Sequence, residues 1–283
     1  MAIEWYPGHM VAARKQAAEA LRKTDAVIEV LDARVPYSSC NPVIEKLRRE
    51  CQRPALKVFN KADLADPERT KQWLAFYNAQ AGVRAIAVSC KQPRDVARIP
   101  EQALRLVPGR GTSAKPLRMM ILGIPNVGKS TLMNVLVKRA VSKVGNEPAV
   151  TRTMLAHAVG KDMWITDTPG MLWPGIDPEA ALKLAISHSI GQNAYDDDAV
   201  AVELGAYLLQ HYPELLRNRF GALPEPCDAH NLVSHIASKR ALVLKGGGPD
   251  LPSAARVLLN EFRSGTLGRI SLESVSQLGP SEG

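Results

Sequence analysis

Residues 119–138 read MMILGIPNVGKSTLMNVLVK, and this stretch decides the fold. Met119–Gly123 is a short apolar run of the kind that forms a buried strand. Gly123–Ser130 follows at once and matches G-x-x-x-x-G-K-[ST], and helical apolar spacing begins at residue 129. Strand, glycine-rich turn and helix N-terminus in that order aim backbone N–H groups at one point, where the helix dipole favours an anion. Lys129 is then placed to reach the β- and γ-phosphates of a nucleotide, and the Ser130 hydroxyl to coordinate Mg²⁺. Asn126, Val127, Gly128 and Thr131 complete the expected phosphate-binding set.

The same punctuation recurs on either side. Ala26–Asp32, Ala55–Asn60, Ala85–Ser89 and Met163–Asp167 read as buried strands, with Leu155–Gly160 a weaker sixth. Helical patterns fall at about 10–23, 42–50, 67–80, 94–106 and 129–138. Strands alternating with helices predict an α/β domain with a mainly parallel sheet covered on both faces. Such sheets bind ligands beyond the carboxyl ends of their strands, which is where the polar motifs sit.

Asn60-Lys61-Ala62-Asp63 ends one of these strands. An aspartate there can accept two hydrogen bonds from the N1–H and N2–H₂ edge of guanine, an edge that adenine lacks. An Asn-Lys turn capping a helix is the plain alternative for the motif alone. Ser89-Cys90-Lys91, after the next strand, fits a loop that lays N–H groups and a lysine stem against the base. Asp167-Thr-Pro-Gly170 supplies a carboxylate able to hold Mg²⁺ through water and a glycine N–H able to sense a γ-phosphate. Thr151, in PAVTRT at 148–153, is expected to close over Mg²⁺, with Thr153 the competing candidate.

The order of these motifs is unusual. An ordinary GTPase runs phosphate loop, switch threonine, Asp-x-x-Gly, then the base-reading loops. Here the base-reading loops come first, at 60 and 89, so the set is complete but circularly permuted. Pro108–Pro116 (PGRGTSAKP) reads as the flexible join. The segment after Gly170 then runs directly into a region, from about 178 to 263, of helical patterns and short turns. We therefore expect a permuted P-loop GTPase domain at 1–176 and a smaller all-α domain at 177–283 that contacts RNA.

The 283 residues carry 36 basic and 28 acidic side chains, a formal net charge of +8, which points to a polyanionic partner, nucleic acid before an anionic membrane. Cys40, Cys51, Cys90 and Cys227 are scattered, which argues against structural zinc or a disulfide framework and fits a reducing cytosol. MAIEWYPGHM at the start has no basic region leading into an apolar run, and no stretch approaches the roughly 20 apolar residues that span a bilayer. A cytoplasmic monomer without stable membrane association is the expectation.

WYPGHM at 5–10, DARVPYSSCNP at 32–42, NKAD, SCK, GIPNVGKS, DTPGMLWP at 167–174 and EFRSGTLGRISLE at 261–273 form an ordered set. In this set the chain resembles the circularly permuted ribosome-assembly GTPases of the YlqF/RbgA family. The resemblance implies binding of GTP, GDP and Mg²⁺, slow hydrolysis stimulated by the ribosome, and a role in late maturation of the large ribosomal subunit precursor, with its rRNA as partner. It also implies a catalytic role for His9, since Met171 stands where Ras-like enzymes place a water-orienting glutamine. Read from the residues alone, His9 opens an amphipathic helix. Asp32 and Arg34 match a family signature, and a structural salt bridge accounts for them equally well.

Cys90 stands where the family usually has alanine, and Ala149 where a glycine commonly precedes the switch threonine. Basic pairs at Arg14/Lys15, Arg22/Lys23, Lys138/Arg139/Lys143, Arg217/Arg219 and Lys239/Arg240/Lys245 sum to a surface suited to phosphate contacts with rRNA. Arg263 and Arg269 are expected RNA contacts, while Leu251–Phe262 reads as core. A GTPase switch coupled to RNA modification or to a membrane is the competing reading of the whole.

Overall fold

The computed structural model describes residues 18–141 and 156–277. His9, Thr151, Thr153 and Ala149 lie outside them. The first part of the chain is strand-rich: β1 (Ala26–Asp32), α1 (Pro42–Glu50), β2 (Ala55–Asn60), α2 (Pro67–Asn78), β3 (Val83–Ala87), α3 (Pro93–Val96), α4 (Ile99–Leu106), β4 (Leu117–Leu122), α5 (Lys129–Val141), β5 (Ala156–Ala158) and β6 (Met163–Thr166). The sheet order is β3-β2-β1-β4-β6-β5, parallel except for β5, which runs antiparallel to β6. Every residue of β1 and β2 is buried, as expected of central parallel strands with both faces covered.

Pairing of β1 with β4, Ala26 against Met119 and Glu29 against Leu122, sets the base-reading half beside the phosphate-binding half. All the motif loops thereby leave the sheet at one edge. The strand expected at 119–123 starts two residues earlier, at Leu117, and two further expectations shift. The third strand lies at 83–87 rather than 85–89, because the chain turns after Val88 with the Gln92 N–H donating to the Ser89 carbonyl. The helix expected over 94–106 is two helices, since Pro100 sits in the first turn of α4, where its missing N–H is tolerated, and starts a new helix there.

Beyond the sheet come α6 (Pro178–Ile186), α7 (Asp197–His211), α8 (Pro213–Phe220), α9 (Ala229–Lys239) and α10 (Leu251–Ser264). Asp177, Asp196, Asp228 and Asp250 cap α6, α7, α9 and α10 respectively, each carboxylate accepting from a first-turn N–H. Val200, Leu204 and Leu208 of α7, Leu232 and Ile236 of α9, and Leu258, Leu259 and Phe262 of α10 form the buried seam. The apolar run at 251–262 is core, as its spacing implied.

After Gly265, in left-handed backbone at the end of α10, residues 266–277 run back across the first part of the chain. Ile270 donates its N–H to the Leu64 carbonyl and Leu272 to that of Arg34. The buried Glu273 carboxylate accepts from the N–H groups of Tyr37 (2.7 Å) and Ser38 (3.0 Å) and from the Ser38 hydroxyl.

Candidate guanine-nucleotide site

Asn60 is the joint of the site. Its Nδ2 donates to the Val127 carbonyl at 2.8 Å and its Oδ1 accepts from the Cys90 N–H at 3.3 Å, so one side chain ties three loops together. Gly128 is required by that contact. Its φ is +99°, and a Cβ built there would stand 2.2 Å from Asn60 Nδ2. Lys61, at φ +62°, sends its ammonium 2.9 Å to Asp32 Oδ2, while Arg34 grips both carboxylate oxygens of the same aspartate. Asp32 and Arg34 therefore form a buried salt bridge. Burial alone would raise the Asp32 carboxyl, but Arg34 and Lys61 hold it well below the usual carboxylate range.

Asp63 pairs with Lys91 Nζ at 3.0 Å. Partial burial pushes its carboxyl up, yet hydrogen bonds from Ser89 and Lys91, together with the Lys91 charge, leave it below the ordinary value and ionised at neutral pH. Burial raises the Cys90 thiol to about 11, so it stays protonated.

These loops surround a cavity of about 430 Å³. Asn60, Lys61, Asp63, Ser89, Cys90 and Lys91 line it from the base-reading side, and Asn126, Gly128 and Thr131 from the phosphate loop. Six further residues line it from outside the nucleotide motifs, among them Leu64 next to Asp63. Arg34 follows β1, and Ser187, His188, Arg263 and Ser264 come from the helical region. Asn126 Nδ2 donates to the His188 carbonyl at 2.9 Å, so the phosphate loop is tied to that region directly.

Lys129, Asp167 and Gly170 gather next to the phosphate loop, where β6 runs beside β4. Lys129 Nζ donates to the Ile124 carbonyl at 2.7 Å, and no carboxylate of the described residues lies within salt-bridge distance of it. Burial lowers this ammonium to about 8, with Asp167 only partly offsetting the effect. A buried cation in that condition fits an anionic ligand. Gly170 packs against the same ammonium, and a Cβ there would be 2.9 Å from Nζ and 3.0 Å from the Pro125 backbone. Asp167 Oδ1 accepts from the Thr168 N–H at 2.9 Å. Burial raises its carboxyl against the opposing pull of Thr168, Lys129 and His157, and a nearby cation would relieve that penalty. Val127 is buried, and Ser130 opens α5 exposed to solvent. The residues present therefore fit a nucleotide triphosphate and a hard divalent cation.

Arg263 and Arg269, expected as RNA contacts, are engaged within the chain. The Arg263 guanidinium donates to the carbonyls of Ala185 and Ile186, both at 3.0 Å, satisfying the last turn of α6. Arg269 donates to the carbonyls of Ala65 and Ala62, at 2.8 and 3.0 Å, and so fixes the turn that carries Asp63. Arg219 and Arg240 are likewise held, both by Glu261.

Residues 118–204 match the family model described as 50S ribosome-binding GTPase. Ribosome biogenesis GTPase A of Bacillus cereus is 38% identical over 292 residues, covering 99% of this chain and 96% of that protein. The protein of the same description from Thermotoga maritima is 30% identical, covering 98% of this chain and 97% of its own. Mitochondrial ribosome-associated GTPase 1 of Bos taurus is 32% identical, with 95% and 88% covered. Among solved structures, GNP-bound YlqF from T. maritima superposes with a TM-score of 0.65 at 27% identity, over 93% of this chain and 98% of that one. A GDP-bound YlqF structure gives a TM-score of 0.67 at 26% identity, over 92% and 99%. With near-complete relatives at this identity and a matching fold, the chain belongs to the YlqF/RbgA family of ribosome biogenesis GTPases.

Proposed function

We propose that this GTPase acts as an assembly factor for the large ribosomal subunit, binding GTP and Mg²⁺ in the cleft described and using hydrolysis to reset its hold on the maturing particle. The observation that carries the reading is the single cavity lined jointly by the 60–63 and 89–91 loops and by the phosphate loop. Asp63 reads the guanine edge, Lys61 and the Ser89–Lys91 loop cover the base, and the N–H groups of 126–131 bind phosphate oxygens. Lys129 supplies the buried positive charge that the β- and γ-phosphates need, and Gly170 reports the γ-phosphate through its N–H. Ser130, Asp167 and Thr151 are the residues that would hold Mg²⁺, which when bound neutralises charge developing on the phosphates. His9 takes the water-orienting role for which Met171, an apolar and buried side chain, is unsuited. Thr151 and His9 rest on the sequence alone.

The chain divides functionally near residue 176. The helical unit after it presents Lys239 and Lys245, both exposed, for phosphate contacts with rRNA. Among the described residues no helix is long and apolar enough to cross a membrane; we read the protein as a cytoplasmic monomer working on a ribosomal particle. The test is GTP hydrolysis by the purified chain, alone and with large or small ribosomal subunits, at two salt concentrations. Strong stimulation by the large subunit that fades with salt is expected. Equal rates with and without either subunit would move the partner elsewhere.

A further inference from the structure

His188 stands outside every GTPase motif, on the turn that follows α6, yet it lines the cavity beside Lys61, Asp63 and Asn126. Its backbone is in the left-handed region, at φ +64°, where a non-glycine side chain is strained by about 1 kcal/mol or more. The surrounding contacts hold it there. Its carbonyl accepts from Asn126, the Ser187 carbonyl before it accepts from Arg34 at 3.2 Å, and the Ser189 N–H after it donates to the Leu184 carbonyl at 2.7 Å. The imidazole Nδ1 is buried with no hydrogen-bond partner among the described residues, and so is Asp197 Oδ1 at the start of α7. Asp197 lies close enough to act on the ring electrostatically, as do Arg263 and Lys61. Burial first, then these two cations, lower the imidazole below its ordinary value, so the ring is neutral at physiological pH and retains one donor and one acceptor.

We propose that His188 is a nucleoside-contacting residue, supplied to the GTPase cleft by the helical part of the chain. The inference rests on the cavity being the guanine-nucleotide site. Its lining joins the base-reading loops and Asn126, Gly128 and Thr131 to residues of the helical region, so it is the nucleoside half, whereas Lys129, Asp167 and Gly170 gather at the phosphate half. A side chain held in strained backbone at the wall of the nucleoside half, pinned there by the phosphate loop and by Arg34, is what a preformed ligand contact looks like. His188 thus senses whether a guanine nucleoside is present and is indifferent to the γ-phosphate.

The experiment uses the full chain with fluorescent methylanthraniloyl-GDP and methylanthraniloyl-GTP, comparing native protein with His188→Gly and His188→Asn. Glycine suits the left-handed backbone, so its melting temperature should not fall. The expected result for His188→Gly is binding about five- to tenfold weaker for both nucleotides by the same factor, the effect of losing one hydrogen bond, with faster dissociation. His188→Asn, which tolerates the same backbone and keeps a donor and an acceptor, should recover part of the loss. Affinity within twofold of native for His188→Gly, or a loss confined to GTP, overturns the proposal. Asp63→Asn on the same scale separates the two layers. A switch from guanine to xanthine preference upholds the cavity assignment, so that native-like binding by His188→Gly would then sink His188 alone. Retained guanine preference in Asp63→Asn would remove the cavity assignment, and the His188 contact with it.

Discussion

At Lys129 an ammonium sits buried against a backbone carbonyl, its proton affinity lowered to about 8. A polyphosphate beside it restores the charged form, so nucleotide binding and protonation of Lys129 are linked. The unliganded protein holds fewer protons at this site than the complex from about pH 8 upward, and affinity therefore falls as pH rises through that range. Calorimetric titration with GDP at pH 8, in buffers of different ionisation enthalpy, should show net proton uptake of a substantial fraction of one proton. Zero uptake would mean that Lys129 is already fully charged in the empty site. Asn60, Asp63, Gly128 and Lys129 were legible in the sequence because each sits at fixed spacing after a strand, where backbone geometry dictates its direction. Ser187, His188 and Arg263 were not. They reach the cavity only through the long-range packing of α6 and α10, which no local spacing encodes. The carbonyls that engage Arg263 and Arg269 were hidden for the same reason, since residue type shows a cation but not its partners.

At the scale of elements, α1 and the segment after β6 meet at one side chain. Asn41 Oδ1 caps α1 by accepting from the N–H of Val43 at 2.9 Å and, at 3.4 Å, from that of Ile44, while Nδ2 donates to the Met171 carbonyl at 2.8 Å. The 32–42 signature thereby grips the chain one residue past Gly170. Asn41→Asp keeps the cap and replaces the donor with a carboxylate facing that carbonyl. The expected cost is about 1–3 kcal/mol of stability, the range for leaving a buried polar group unpaired, measured by urea unfolding. An unchanged midpoint would show that the segment is not held there. Strand positions followed from apolar runs with few errors, because central parallel strands are buried on both faces. The helix over 94–106 was less legible. Pro100 reads as a breaker or as a first-turn residue depending on which residues pack around it.

At the scale of the molecule, the returning segment joins the last part of the chain to the first. Burial raises the Glu273 carboxyl above its usual value despite the hydrogen bonds from Ser38 and Tyr37. Its folded value thus exceeds the unfolded one, and the stability it contributes is complete below the unfolded value, about 4.3, and is lost as pH rises through the folded value. Glu273→Gln should remove this slope. The difference in unfolding free energy between native and variant is expected to shift against the native protein as pH is raised from about 4.5 toward neutrality. Parallel curves would show that Glu273 has the same proton affinity folded and unfolded.

The returning segment also sets a schedule for the protein's own synthesis. Tyr37 and Ser38 leave the ribosome more than 230 residues before the Glu273 carboxylate that they bind. The turn bearing Asp63 likewise waits some 200 residues for Arg269. Contacts so distant along the chain form late and slowly. The base-reading loops therefore stay without their final support until residues 269–273 have been made, some 200 residues after the loops themselves.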